Sequence, residues 1–243
     1  MLQIDELLDR KPGELSGGQR QRVALGRALI REASVYLMDE PLSNLDAKLR
    51  ASTRIELKHL QKELGITVVY VTHDQVEAMT MSDRIGVINR GKLIQIGKPH
   101  DVYNLPEDLF VASFLGDPPI NLIEAQASAD DDSSIEYGGY RLAIPGNPKL
   151  SAFRGKALRL GVRPEEVTVS KEGAKATIQL IKSIGRTNYI SMVLAETPEA
   201  VTKVTTEEVN LREGQTVNVL PNTSTLDIFE SDTQKLVWSS KKK

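Results

Sequence analysis

The apolar run Ser34–Met38 closes on two carboxylates, Asp39-Glu40, and a second run, ITVVYVT at 66–72, closes on His73. A carboxylate at the C-terminal end of a strand can hold Mg²⁺, usually through water, and the next one can orient an attacking water. A histidine at the same sheet edge can hydrogen-bond a terminal phosphate or position water. Upstream, Ser16 and Gln19 fit a capping box around Gly17 and Gly18, where missing side chains let a ligand or another backbone approach. The open N–H groups and dipole of the helix that follows favour an anion. Each signal also has a plain structural reading: capping boxes start helices, acidic residues end strands in solvent, and a lone histidine commonly serves packing. His59 and His100 lack an acidic or histidine partner at ligand spacing, so no histidine metal site is assigned.

The elements that must position these residues follow from periodicity. Val23, Leu25, Ala28, Leu29 and Ile30 recur near helical spacing. Leu45, Leu49, Leu57, Leu60 and Leu64 predict a long amphipathic helix with Gly65 as a left-handed cap, and Asp74–Met81 a short one. Apolar strands between helices predict an α/β unit: a mostly parallel sheet covered on both faces. Residues 85–97 alternate in period two around Asn89-Arg90-Gly91, a hairpin, and helices are expected from Pro99 and Pro106. Gly116-Asp117-Pro118-Pro119 marks a domain boundary, giving 1–115 and 116–240, with a disordered lysine tail at 241–243. Beyond it, ALRLGV, EEVTVS, ATIQLI, YISMVL and TVNVLP read as strands separated by turns such as Tyr137-Gly138-Gly139 and Pro145-Gly146-Asn147. The expectation is an all-β barrel.

Composition narrows the function. A net charge of −2 over 243 residues gives no basic field for nucleic acid, and no nucleic-acid partner is expected. Cysteine is absent, which removes disulfides and thiolate metal sites. No apolar run approaches the roughly 20 residues of a membrane span, and the first residues lack the features of a signal peptide.

In combination, LSGGQ at 15–19, VYLMDE at 35–40, SNLD at 43–46 and His73 resemble, in order, the signature, Walker B strand, D-loop and switch histidine of the ATP-binding cassette family. The resemblance implies that Asp39 serves Mg²⁺, Glu40 polarises the hydrolytic water and His73 contacts the γ-phosphate of ATP. It implies that Ser16, Gly17, Gly18 and Gln19 press on ATP held by the opposite subunit of a homodimer, with Ser43 and Asp46 at the interface. Residues 97–125, LGVRPEEV at 160–167 and the ending VLPNTSTLDIFESDTQKLVW are similar to the linker and OB-fold-like regulatory domain of binding-protein-dependent sugar importers. That branch implies dimerisation through both domains, a membrane permease, an extracytoplasmic sugar-binding protein, and a peripheral place at the cytoplasmic side of the membrane.

One motif of the family has no counterpart. The phosphate cradle G-x-x-x-x-G-K-[ST] is approached by Gly86 to Lys92, but Leu93 stands where the hydroxyl belongs and no helix pattern follows. The sequence therefore reads as the C-terminal part of a longer cassette protein, and it is not expected to turn over ATP alone. The alternative is a non-catalytic regulatory or dimerisation fragment. The apolar strands around Val35 and Val69 would lack neighbours, so aggregation or a disordered first half is expected.

Overall fold

The computed structural model describes all residues except 1, 3, 32, 147, 198, 199, 208, 209, 242 and 243. The turn residue Asn147 and the tail residues Lys242 and Lys243 thus lie outside the described residues. Lys241 is described and donates to Asp227 Oδ2 at 3.2 Å. The chain divides into two compact units, Met1–Ile85 and Gly86–Lys243.

In the first unit, α1 (Gly17–Leu29), β1 (Val35–Asp39), α2 (Ala47–Leu64), β2 (Thr67–Val71) and α3 (Gln75–Met81) alternate as expected. Local chemistry sets their ends. Gly65 adopts φ 61° at the end of α2, the left-handed cap that a side chain would strain. Asp74 caps α3 by accepting from the N–H groups of Val76 and Glu77. Strands β1 and β2 pair in parallel, Val35 opposite Thr67 through Asp39 opposite Val71.

The expectation that this sheet is covered on both faces is corrected. Tyr36 and Met38 point into a core with Leu2, Leu25, Leu42, Leu45 and Leu57. On the other face Val35, Leu37, Val69 and Val71 are 46–80% exposed. Side chains alternate along a strand, so one packed layer of helices can cover only one set, and no described segment covers the other.

In the second unit, β3 (Ile85–Asn89) and β4 (Lys92–Gly97) form the expected hairpin. Arg90 and Gly91 both have positive φ, the turn that suits right-twisted strands. The near-match to a phosphate cradle is this turn. Helices α4 (Pro99–Asn104) and α5 (Leu109–Phe114) follow. The second starts later than Pro106 because Asp108 caps it through the Phe110 N–H at 2.8 Å.

The β domain comprises β5 (Asn121–Ala127), β6 (Ser134–Tyr137), β7 (Tyr140–Ala143), β8 (Leu158–Val162), β9 (Val167–Ser170), β10 (Ala174–Ile184), β11 (Thr187–Leu194), β12 (Ala200–Thr205), β13 (Thr216–Pro221), β14 (Asp227–Glu230) and β15 (Leu236–Ser239). Here the barrel expectation is corrected in detail: the domain is OB-like, but its strands do not close into one ring. They make a five-stranded sheet, β12-β11-β10-β13-β9, and a six-stranded one, β15-β14-β8-β5-β6-β7. Both sheets feed one core, including Ile123, Leu160, Ile190, Met192 and Val219. Where β5 meets β12 a side chain replaces the ladder. The Asn121 amide donates to Thr202 O at 2.8 Å and accepts from Thr202 N–H at 2.7 Å.

Candidate functional site

Of the sequence-predicted residues of the first unit, Asp39, Glu40 and His73 gather at the C-terminal edge of β1 and β2. Asp39 is the last residue of β1 and is exposed. Glu40 carries the parallel ladder one step further, its N–H donating to Val71 O at 2.9 Å. It then leaves the strand with φ 44°, in the left-handed region that a non-glycine residue occupies at a cost of about 1–3 kcal/mol. Its carbonyl is held from several sides: by Gln21 Nε2 at 2.7 Å, Ser43 Oγ at 3.0 Å and Ser43 N–H at 3.2 Å.

This turn aims the Glu40 side chain at His73, with Oε1 and Nδ1 2.7 Å apart. With Glu40 ionised, the geometry requires the proton on Nδ1, which donates. The hydrogen bond to Glu40, followed by its charge, raises the His73 pKa above the ordinary imidazole value. The imidazole itself is largely open to solvent.

Beneath His73 lies a buried carboxylate that the sequence reading did not single out. Glu77 Oε2 accepts from Tyr70 OH at 2.9 Å and from Thr72 Oγ1 at 2.8 Å, and Glu77 is 3% exposed. Thr72 Oγ1 in turn accepts from Asp74 N–H at 3.0 Å. The residues on both sides of His73 are thereby fixed. Burial first, and the nearby Glu77 charge second, push the Tyr70 phenol well up.

The signature residues show which role each takes. Ser16 and Gln19 form the predicted capping box, Ser16 Oγ accepting from Gln19 N–H at 3.3 Å and Gln19 Oε1 from Ser16 N–H at 2.8 Å. The two glycines differ. A Cβ on Gly18 would lie 2.8 Å from Asn44 O, so its bareness admits a neighbouring backbone, whereas nothing lies within 4 Å of a Cβ on Gly17. Ser43 turns its hydroxyl inward to Glu40 O. Asp46 caps α2 by accepting from Leu49 N–H at 2.9 Å.

Among the described residues no group of three or more His, Cys, Asp and Glu side chains could enclose a metal. Asp39, exposed at the end of β1, is the kind of single carboxylate that fits Mg²⁺ in its usual nucleotide role, with waters and phosphates completing the shell.

Gln21 and Glu77 are the additions the structure makes. The spacing Asp74-x-x-Glu77 matches a capping box and could have drawn attention, yet the carboxylate turns to Tyr70 and Thr72 instead. Gln21 carries no local signal, since its partners lie across the 40–44 turn.

Known proteins match this chain in two segments and along nearly its whole length. The ABC transporter family profile matches residues 1–43, and the MalK OB fold domain profile matches 116–167. The trehalose/maltose import ATP-binding protein MalK of Thermococcus litoralis is 44% identical over 98% of this chain and 66% of its own length. The xylose/arabinose import ATP-binding protein XacK of Haloferax volcanii is 44% identical over 96% and 62%. The sn-glycerol-3-phosphate import ATP-binding protein UgpC of Roseobacter denitrificans is 51% identical over 78% and 51%. The chain thus spans somewhat less than two thirds of the relatives it matches.

Proposed function

We propose that this chain, which belongs to the ATP-binding cassette transporter family, supplies the signature, acidic-strand and histidine parts of an ATPase that drives sugar import. The observation that carries this reading is the Glu40–His73 pair, 2.7 Å apart beside Asp39 at one sheet edge. That edge is where open α/β sheets receive ligands. Mg²⁺, when bound, would neutralise phosphate charge, and Asp39 would hold it through water. Glu40 would orient the hydrolytic water and draw on its proton. With Nδ1 committed to Glu40, His73 keeps Nε2 to face the γ-phosphate.

Ser16, Gly17, Gly18 and Gln19 would meet the γ-phosphate of ATP held by a second copy. The open space at Gly17 and the capped start of α1 support that role. Ser43 and Asp46 would line the interface of the homodimer, which the β domain extends. The functional boundary is placed at Gly116, cassette portion 1–115 and OB-like regulatory portion 116–240, and the OB-fold match beginning at 116 supports it. The partners are a membrane permease and an extracytoplasmic sugar-binding protein, and the place of work is the cytoplasmic membrane face. Import named for di- and monosaccharides among the relatives supports the sugar class.

The test is ATP turnover by the transport complex carrying Glu40→Gln. We expect turnover to fall at least about 100-fold, the scale of a lost general base, while ATP binding persists. Turnover at the unsubstituted rate would overturn the reading.

A further inference from the structure

We propose that Gln21 is a positioning residue that couples the start of α1 to the Glu40 turn, so that a movement of the signature helix re-aims the Glu40 carboxylate. This rests on the reading of Glu40 and of residues 16–19 as parts of two nucleotide sites. The link itself stands on geometry alone. Gln21 sits in the second turn of α1, and its amide reaches across to three points of the 40–44 turn. Nε2 donates to Glu40 O at 2.7 Å and lies 3.4 Å from Ser43 Oγ, while Oε1 accepts from Asn44 N–H at 3.0 Å.

The turn it grips is unusual in two ways. Glu40 has φ 44°, a conformation its own sequence disfavours and its surroundings must impose. Gly18, on the same helix, lies so close to Asn44 O that a Cβ would stand 2.8 Å from it. Helix and turn therefore meet by one bare backbone contact and one two-ended side-chain clamp. A shift of α1 pulls on the Glu40 carbonyl and pushes on Asn44, and the peptide so rotated carries the side chain that meets His73. Residues 16–19 begin the same rigid helix, held by the Ser16–Gln19 box. In a dimer arranged as proposed, a phosphate seated against one copy's Ser16–Gln19 would be felt at that copy's own Glu40. Each nucleotide site would thus report on the other through a single chain.

The test uses the 243-residue chain and the ring signals of its three histidines, His59, His73 and His100, followed by nuclear magnetic resonance at fixed pH. Ser16→Ala, which removes the cap, should shift the His73 ring signals and leave those of His59 and His100 in place. In a Gln21→Ala background the same Ser16→Ala change should no longer move His73. Exchange of the Asn44 amide, whose acceptor is Gln21 Oε1, should speed up roughly five- to tenfold in Gln21→Ala, the scale of one lost hydrogen bond. Gln21→Glu, which keeps the acceptor for Asn44 but loses the donor to Glu40, guards against a folding defect and should also decouple His73. Equal Ser16→Ala responses with and without Gln21, or a His73 signal indifferent to every variant, would overturn the coupling. If coupling holds while Glu40→Gln leaves ATP turnover intact, the link survives and the assignment of the site fails.

Discussion

His73 is 75% exposed, yet its imidazole is held at 2.7 Å from a carboxylate, and solvent at this site tempers the attraction without abolishing it. Its pKa is raised chiefly by the hydrogen bond to Glu40. A raised folded-state value means that the pair's stabilisation is complete below the unfolded pKa, about 6.5, and is lost as pH rises through the folded value. A ring-signal titration should place the His73 midpoint above the ordinary imidazole value, and Glu40→Gln should lower it. A midpoint unmoved by Glu40→Gln would show that the pair does not form. Residues whose work is local were legible beforehand: the Ser16–Gln19 box and the Gly65 cap are written in four- or five-residue windows. Glu77 and Gln21 were not, because their partners are supplied by other elements and no spacing within one window encodes them.

Among the elements, α4, α5 and β8 are joined by one buried guanidinium. Arg163, just past β8, is 3% exposed and donates to Ala112 O at 3.2 Å, Leu115 O at 2.5 Å and Tyr103 O at 3.0 Å. Its charge lies 4.0 Å from the centre of the Tyr103 ring. Burial lowers its pKa, though an arginine stays charged. Arg163→Met would leave those helix-end carbonyls without a buried donor, at a cost of about 2–4 kcal/mol. The melting temperature of the unit should fall by roughly 5–10 °C in calorimetry. A change of a degree or less would mean that water replaces the guanidinium freely. The strands β5, β6, β7, β12, β14 and β15 escaped the sequence reading because they are short or interrupted by polar residues such as Asn121, Glu124 and Asp227, whose partners lie on other strands or beyond.

At the scale of the whole molecule, the two units differ in how completely they enclose themselves. The β domain buries both inner sheet faces in one core. The first unit leaves Val35, Leu37, Val69 and Val71 in the open, where covering each would be worth roughly 1–2 kcal/mol. This face should drive self-association of the chain, and Leu37→Lys with Val69→Lys should raise the monomer fraction in sedimentation velocity. No change on adding two charges there would place the sticky surface elsewhere. The unbroken apolar runs revealed that these strands want cover on both faces, but a pattern cannot say which face the chain itself supplies.

The Asn121 amide has a further consequence for the edge it occupies. Strand β12 ends its sheet, and at Thr202 both its free N–H and its free C=O are taken by that side chain. A ladder would invite continuation, each residue offering the next bond to any extended segment that drifted alongside. A single amide offers nothing to extend, so at Thr202 the edge is closed to another chain's backbone, and a clasp that holds two sheets together also guards against fibre growth.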